Sequence, residues 1–229
     1  MNGPMESPQA TFYRQFISPG DLCFDVGANA GNKTEVFLGL GARVVMVEPQ
    51  KKCADILRNK FGQKPNCTIV EKALGASEGE AVMYLNDADV LSTLSTEWIE
   101  RMQASGRFQR NFWRNQISVP MTSLDRLMEQ HGVPAFCKID VEGYEWHILQ
   151  GLTRPLPALS IEFAEETIHN SVHCMHRLQQ LGDYEFNCVK ADNTSLELAN
   201  WVDLATICSH LGQRTETFMW GDIYARQKR

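Results

Sequence analysis

The sequence alternates short apolar runs with segments whose apolar residues recur at helical spacing. Each run is rich in β-branched or other apolar residues and is bounded by turn signals, as are strands buried on both faces of a parallel sheet. The five runs are 21–27, 42–49, 66–74, 136–143 and 158–165. Helices are predicted at 31–40, 50–60, 143–150 and 167–182. The repeated strand–helix order predicts an α/β fold with a doubly wound sheet.

Four further segments are predicted as strands. The runs 79–85 and 117–127 look like additional short strands, and Pro120 would place the second at a sheet edge or at a strand end. The segments 184–190 and 222–228 predict an antiparallel hairpin at the C-terminal end.

No internal repeat, low-complexity tract or linker divides the 229 residues, so we expect a single domain over 1–229. Residues 1–17 are expected to form an N-terminal helical extension that covers the cofactor site or mediates a dimer, so an oligomer is compatible with the sequence. Residues 86–116 are less regular and are expected to form an insertion, or a lid over the acceptor pocket. Within them, 107–115 mixes three arginines with three aromatic residues, a combination also used to bind single-stranded nucleic acid.

Composition argues against several classes of function. The formal net charge of −6 disfavours charge-driven binding to nucleic acid or to an anionic membrane. No apolar run approaches the ~18–20 residues of a membrane-spanning helix, and the N-terminus lacks the apolar core of a secretory signal. Seven cysteines without a C-x-x-C pair argue against a disulfide framework and a structural zinc site. We therefore expect a cytoplasmic protein that binds neither nucleic acid nor membrane.

The segment DVGANAG, residues 25–31, follows the first predicted strand and precedes a predicted helix. Its small residues let backbone N–H groups and a helix N-terminus approach a ligand, at the sheet edge where doubly wound folds bind cofactors. Asn29 stands where the dinucleotide fingerprint has its second glycine, so a dinucleotide is a poorer fit. Asp25 would repel phosphates and attract an amine or a sulfonium.

A second acid, Glu48, ends the second predicted strand about 20 residues beyond the turn. An acid in this place can accept hydrogen bonds from both hydroxyls of an adenosine ribose. Asp25 and Glu48 together suggest a nucleoside that carries a cationic amino-acid tail, and S-adenosylmethionine is such a molecule. The alternatives are a plain tight connection for the glycine turn and a solvated strand end for Glu48.

Several motifs resemble those of the FkbM-type methyltransferases, a family of S-adenosylmethionine-dependent O-methyltransferases. The resemblance covers about 20–165 and rests on DVGANAG, VEP, VEKALGASEGEAVMYL, LSTL, VPMTSLDRL and KIDVEGYEWHILQG, in that order. It implies the class I methyltransferase fold, which is a Rossmann-like, doubly wound, mostly parallel seven-stranded sheet with helices on both faces. It also implies S-adenosylmethionine as the cofactor.

The resemblance further implies roles for individual residues. The residues expected to contact the cofactor are Asp25, Gly27, Ala28, Asn29 and Gly31 at the methionine end, Glu48 and Pro49 at the ribose, and Ala73 and Leu74 at the adenine. Ser92, in the LSTL loop at 91–94, is expected to contact the acceptor.

Methyl transfer to a hydroxyl is helped by a general base, and acids at the carboxyl edge of the sheet are the candidates. Asp140 is predicted as the acid closest to the reacting centre, acting as base or as orienter. Glu142 is the second candidate, with a helix cap as its alternative role. Glu162, at the end of the fifth run, is expected to bind the acceptor, unless it is an ordinary strand-end carboxylate.

Histidine provides no comparable signal for catalysis or metal binding. His147 is interpreted as a structural residue one turn into a helix. His169, His173 and His176 have a spacing that can ligate a metal, but no nearby carboxylate completes the set, so no metal site is predicted.

The sequence therefore predicts an S-adenosylmethionine-dependent methyltransferase that methylates a hydroxyl of a small molecule, such as a sugar or a secondary metabolite. Two alternatives remain open. The first is an NAD(P)-dependent oxidoreductase on a Rossmann sheet. The second is a domain that binds S-adenosylmethionine without catalysis.

Overall fold

The computed structural model describes residues 7–213 and 218–228. The strands in these ranges are β1 (Leu22–Val26), β2 (Arg43–Val47), β3 (Cys67–Val70), β4 (Ala73–Leu74), β5 (Gly79–Leu85), β6 (Asn115–Thr122), β7 (Phe136–Ile139), β8 (Ala158–Ala164), β9 (Tyr184–Lys190) and β10 (Trp220–Gln227). The α-helices are α1 (Pro8–Tyr13), α2 (Asn32–Gly39), α3 (Lys51–Phe61), α4 (Thr96–Ser105), α5 (Leu124–His131), α6 (Glu145–Gln150), α7 (Ile168–Leu181) and α8 (Leu204–Gly212).

Seven of these strands form one sheet in the order β3-β2-β1-β7-β8-β10-β9. Every pair that excludes β10 is parallel, whereas β10 is antiparallel to both β8 and β9. The predicted mostly parallel α/β sheet with antiparallel C-terminal strands is therefore confirmed. The order reverses between β1 and β7, and ligands of such sheets bind in the crevice that this reversal opens at the carboxyl ends.

Helices cover both faces of this sheet, as predicted. Helices α5 to α8 pack on one face through buried residues such as Leu127 and Leu178. Helices α1 to α3 pack on the other face through residues such as Phe37 and Leu57. Burial of apolar area on both faces explains why the central strands read as continuous apolar runs.

Strands β4, β6 and β5 form a separate three-stranded sheet that the sequence did not predict. The prediction of one strand over 66–74 is wrong, because pairing with β2 ends at Val70 and the backbone then turns, with Lys72 N donating to Val70 O. Strand β6 lies in the middle of the small sheet, yet β4 pairs only with Met121 and Thr122. The side of Pro120 that faces β4 therefore needs no ladder hydrogen bond.

The predicted strand over 117–127 is too long at its C-terminal end. It stops at Thr122, because Ser123 caps α5 by accepting a hydrogen bond from Arg126 N through its hydroxyl. Such a cap satisfies an otherwise unpaired helix donor and fixes where the helix starts.

The segment 86–116 contains helix α4, which the sequence did not reveal. Ser95 caps α4 by accepting a hydrogen bond from Trp98 N, and Trp98 is 2% exposed. Arg107 and Arg110 lie in turns and Arg114 in a coil segment, so the three arginines do not share a helix face. Helix α8 was also not predicted.

Helix α1 lies within the predicted extension 1–17, of which residues 1–6 are outside the described ranges. Tyr13 is 1% exposed and its ring packs edge-on against Phe37 and Phe136. Its hydroxyl lies 3.3 Å from that of Tyr224 on β10. The buried side of α1 is thus part of the core. None of the helices in the described ranges is long and apolar enough to cross a membrane.

Candidate active site

The glycine turn joins β1 to α2 at the point where the strand order reverses. Gly27, Asn29 and Gly31 all have left-handed backbone conformations, with φ of 76°, 47° and 84°. A Cβ added to Gly27 would lie 1.8 Å from the backbone oxygen of Asp140. The turn therefore requires glycine at this position because another part of the chain approaches it, independently of any ligand.

A cavity opens beside this turn. Its walls come from the ends of β1, β2 and β7, the β4 strand and the segment 89–94. The lining residues are Val26, Gly27, Asn29, Val47, Glu48, Pro49, Gln50, Lys72, Ala73, Leu74, Met83, Asp89, Val90, Ser92, Leu94, Asp140, Val141, Glu142 and Tyr144. The cavity brings most of the predicted cofactor residues together with both predicted catalytic acids. Ala28 and Gly31 belong to the turn without lining the cavity, and Glu162 lies beside it.

Glu48 is held in place by two backbone amides. Its Oε2 accepts a hydrogen bond from Asn29 N at 2.9 Å, and its Oε1 accepts one from Gln50 N at 2.8 Å. The side chain is 3% exposed, and burial raises its pKa to about 7 against the opposing effect of these hydrogen bonds. Each carboxylate oxygen keeps acceptor capacity for a further donor.

Asp25 is 1% exposed and does not line the cavity. Its Oδ2 accepts a hydrogen bond from the Thr34 hydroxyl at 2.6 Å, whereas its Oδ1 is buried without a hydrogen-bond partner among the described residues. Burial raises the pKa of Asp25, and the charge of Lys138 opposes this effect. A direct contact between Asp25 and the cofactor remains a prediction.

Three carboxylates meet where β7 and β8 end. Asp140, Glu142 and Glu162 each offer an oxygen within 4.8 Å of the others. Burial and neighbouring carboxylates raise the pKa values of Glu142 and Glu162 well above the usual range. The group is suited to hold a proton or to meet a cationic or hydroxyl group of a ligand, and we assign no metal to it.

Glu142 is not the helix cap that the sequence allowed as an alternative. It has a left-handed backbone with φ of 54°. Glu145 is the acid that binds the local amides, since its Oε1 accepts hydrogen bonds from Val141 N and Gly143 N. The backbone carbonyl of Glu142 accepts a hydrogen bond from the Thr93 hydroxyl at 2.7 Å. The LSTL loop therefore adjoins the acids.

Ser92, the residue of this loop predicted to contact the acceptor, lines the cavity and is 6% exposed. Its hydroxyl accepts a hydrogen bond from Asn86 N at 3.1 Å. The histidine stripe lies on α7, where His169 Nε2 is 2.9 Å from Oε1 of Glu97. His147 lies on α6 with its ring stacked on Tyr144.

Lys138 was not predicted as a site residue; it is buried and donates a hydrogen bond from Nζ to Asp140 Oδ2 at 2.6 Å. Asp89 lines the cavity from the 86–116 segment and was not predicted either. The available signal for Lys138 was its position, since a lysine within an apolar run reads as a buried charge that needs a partner. Asp89 had no such signal, because a loop reaches the cavity only through the tertiary fold.

The raised pKa of Glu162 predicts a pH-dependent stability. The folded state binds the Glu162 proton more tightly than the unfolded state, so this group lowers the free energy of unfolding as pH rises above its unfolded-state pKa. Glu162→Gln should therefore be more stable than wild type near pH 8.5, by about 1 kcal/mol or ~3 °C in Tm, and nearly equal near pH 4.5. Melting curves at both pH values check this. Glu100→Gln, at an exposed position, should show no such gain; an equal gain there would contradict the assignment to Glu162.

The residues present fit S-adenosylmethionine, the cofactor that the resemblance implies. Glu48 has spare acceptor capacity for ribose hydroxyls. Apolar side chains such as Leu74, Met83 and Leu94 provide a wall for a base. Asp140 places a carboxylate in the same cavity, which suits a cationic tail.

Some solved structures resemble this chain in their fold. None of the curated protein sequences matches the chain significantly. Among solved structures, the precorrin-6y C5,15-methyltransferase of Geobacter metallireducens has a TM-score of 0.51 at 11% identity, over 96% of this chain and 87% of that one. An S-adenosylmethionine-dependent O-methyltransferase of Thermotoga maritima has a TM-score of 0.47 at 12% identity, and the match covers 100% of this chain and 69% of that one. At these identities the likeness concerns the fold alone.

The family comparison is more specific. The model of the methyltransferase FkbM domain matches residues 25–186, from the acid before the glycine turn to the middle of β9. This match spans most of the chain and includes the turn, Glu48 and all three clustered acids. The chain belongs to the FkbM family of S-adenosylmethionine-dependent methyltransferases.

Proposed function

We propose that this methyltransferase methylates a hydroxyl group of a small molecule, such as a sugar or a secondary metabolite. The observation that carries the proposal is the group of Asp140, Glu142 and Glu162, within 4.8 Å of one another beside the cofactor turn. A hydroxyl acceptor must lose its proton close to the transition state, and a nearby carboxylate can accept it. Carboxylates also bind several hydroxyls at once as hydrogen-bond acceptors.

The residues divide the work of the reaction. When bound, S-adenosylmethionine supplies a methyl group activated for in-line displacement. Glu48 holds the ribose, and the apolar wall around Leu74 excludes water from the adenine ring. Asp140 accepts the acceptor's proton or orients its hydroxyl, and Glu162 binds a second hydroxyl. Fixing both reactants in this way converts a bimolecular step into an effectively unimolecular one.

The proposed acceptor is not a nucleic acid. Phosphate-rich polymers are bound by basic surfaces, whereas the acceptor side of this cavity is formed by carboxylates and the chain carries a formal net charge of −6. We also place the reaction in the cytoplasm, because all seven cysteines are free, which suits a reducing compartment.

We infer that the segment 86–116 forms a fixed wall of the acceptor pocket within a single methyltransferase domain. Thr93 bonds the Glu142 carbonyl. Arg107 pairs with Glu166 through two hydrogen bonds of 2.9 Å, with side chains 11% and 8% exposed. A bidentate, largely buried pair of this kind restrains the segment relative to α7.

Calorimetric titration with S-adenosylhomocysteine and S-adenosylmethionine, with NADH as the control, tests the cofactor. We expect the first two to bind and NADH not to bind.

A screen of polyol, phenol and amine acceptors with radiolabelled S-adenosylmethionine then tests the reaction. Transfer to hydroxyls supports the proposal, whereas transfer only to amines or to RNA overturns it. Cofactor binding without transfer to any acceptor would favour a non-catalytic binding domain. Belonging to a methyltransferase family leaves the oxidoreductase alternative without support.

Cofactor affinity should depend on the charge of Glu48, whose pKa burial raises to about 7. The ionised carboxylate accepts hydrogen bonds from both ribose hydroxyls, whereas the protonated form loses acceptor capacity. Affinity for S-adenosylhomocysteine should therefore rise by about tenfold between about pH 6 and pH 8. Titrations at several pH values measure this. Glu48→Gln should bind weakly with little pH dependence; a wild-type pH profile in that variant would assign the titration to another group, such as Glu145.

A further inference from the structure

Lys138 is a buried cation in the middle of the main sheet, directly below the proposed site. It lies on β7 with a side chain only 4% exposed. Its register partners are Asp25 on β1 and Ser160 on β8, so these side chains share one face of the sheet. A buried ammonium is costly unless carboxylates compensate its charge.

Three carboxylates from three parts of the sheet compensate it. Burial alone would lower the pKa of Lys138, but Asp140, Asp25 and Asp222 more than offset this and raise it. The direct contact is the 2.6 Å hydrogen bond from Nζ to Asp140 Oδ2. Burial raises the pKa of Asp222 to about 6, and Lys138 is the main opposing influence there, as it is at Asp25.

Two of these three acids, Asp25 and Asp140, flank the cofactor turn. Asp25 precedes Gly27 by two residues, and the Asp140 carbonyl is the atom that a Cβ on Gly27 would meet. Lys138 therefore lies beside Asp25 in the strand register and donates a hydrogen bond to Asp140 on the other side of the turn. Neither acid could keep this arrangement unchanged if the cation were removed.

We propose that Lys138 is a positioning residue: it orients the Asp140 carboxylate towards the acceptor and balances the negative charge that Asp25 and Asp140 place around the cofactor's amino-acid end. The inference rests on the proposed function. With Oδ2 bound to Lys138, Oδ1 of Asp140 is left to interact with ligand. With Lys138 present, Asp25 can remain buried as a carboxylate.

Besides the three aspartates, the charged and titratable groups around Lys138 should not produce the pH dependence of ligand binding expected from its replacement. Burial raises the pKa of Tyr13 on α1 and of Tyr224 on β10, so both hydroxyls stay neutral. Lys33 on α2 acts on Asp222. Lys138 lowers the pKa of Glu142 by less than burial and the acidic neighbours Asp140 and Glu145 raise it. Asp25 and Asp222, whose pKa values Lys138 opposes, are therefore the groups that should respond when it is replaced.

The test is calorimetric binding of S-adenosylhomocysteine by wild type, Lys138→Met and Lys138→Arg over a range of pH. Without the ammonium, the pKa values of buried Asp25 and Asp222 should rise further, so these two acids hold protons near neutrality and no longer attract the ligand's ammonium group. Lys138→Met should bind at least about tenfold more weakly than wild type near pH 6.5, and the gap should narrow as pH rises towards 9. Lys138→Arg, which keeps the charge, should follow the wild-type pH profile. Lys51→Met, at a side chain 76% exposed, is the matched control and should leave binding unchanged.

The outcomes separate the two proposals. If wild type binds neither S-adenosylhomocysteine nor S-adenosylmethionine, the proposed function fails. If wild type binds and Lys138→Met is weakened by the same factor at every pH, or not at all, the role of Lys138 as a charged positioning residue is wrong. Should Lys138→Met not fold, the double variant Lys138→Met/Asp140→Asn takes its place, because removing both partners of a buried pair is better tolerated than removing one. That variant should show the same pH-dependent gap through Asp25.

Discussion

Replacing Gly27 by alanine should abolish binding of S-adenosylhomocysteine and strongly destabilise the fold. Gly27 has φ of 76°, and an added Cβ would lie 1.8 Å from the Asp140 backbone oxygen. The position of the added Cβ is fixed by the backbone of residue 27, and its partner is a backbone oxygen, so no side-chain rotation relieves the contact. Either β1 or β7 must move, and the turn between Asp25 and Gly31 would lose its shape. We expect a loss of about 4 kcal/mol in the free energy of unfolding, at the upper end for single substitutions.

The chain provides a matched control for the backbone conformation. Gly20 has φ of 88°, yet a Cβ there would have nothing within 4 Å. Gly20→Ala should therefore cost only the conformational term of about 1–2 kcal/mol. The difference between the two variants isolates the close approach to Asp140. Thermal melting and calorimetric titration of both variants measure it. Equal losses for Gly20→Ala and Gly27→Ala, with cofactor binding retained, would show that the approach of the two backbones does not shape the site.

The sequence predicted the strands around this turn correctly because their signal is local. β1, β2, β7 and β8 are short apolar runs with turn residues at their ends, and burial on both faces makes such runs conspicuous. The reason why position 27 requires glycine was predicted only in part. The sequence suggested that small residues let a ligand approach, whereas the structure adds the backbone of Asp140, more than a hundred residues away in the chain.

Other features depend on which strands become neighbours in the sheet, and local sequence patterns do not specify strand order. The small sheet arises because the chain turns at Lys72 and pairs Ala73 with Met121. The meeting of Glu162 with Asp140 and Glu142 requires β8 to lie beside β7. Lys138 reads locally as an exception in an apolar run, and its three carboxylates become visible only when β1, β7 and β10 are assembled.

Asp140→Asn should reduce methyl transfer by a hundredfold or more, since general-base assistance contributes about 10²–10⁴. The substitution keeps an oxygen that can accept the hydrogen bond from Lys138 Nζ, now 2.6 Å from Oδ2. Shape is therefore preserved while the basic group is lost. Initial rates with an acceptor identified in the screen, together with the affinity for S-adenosylhomocysteine, measure the effect. Affinity should change far less than the rate.

The matched control is Asp55→Asn, which removes an exposed carboxylate paired with Lys51 on α3. Its rate should equal that of wild type.

If Asp140→Asn also transferred methyl groups at the wild-type rate, the base would have to be sought in Glu142 or Glu162. Those two acids have pKa values raised well above the usual range by burial and by their acidic neighbours. A base among them would be active only at higher pH, so an acidic limb displaced to higher pH in the pH–rate profile would identify them. If Asp140 only orients the acceptor, Asp140→Asn should lower the rate by far less than a hundredfold at every pH, since an amide oxygen can still align a hydroxyl donor although it cannot take its proton.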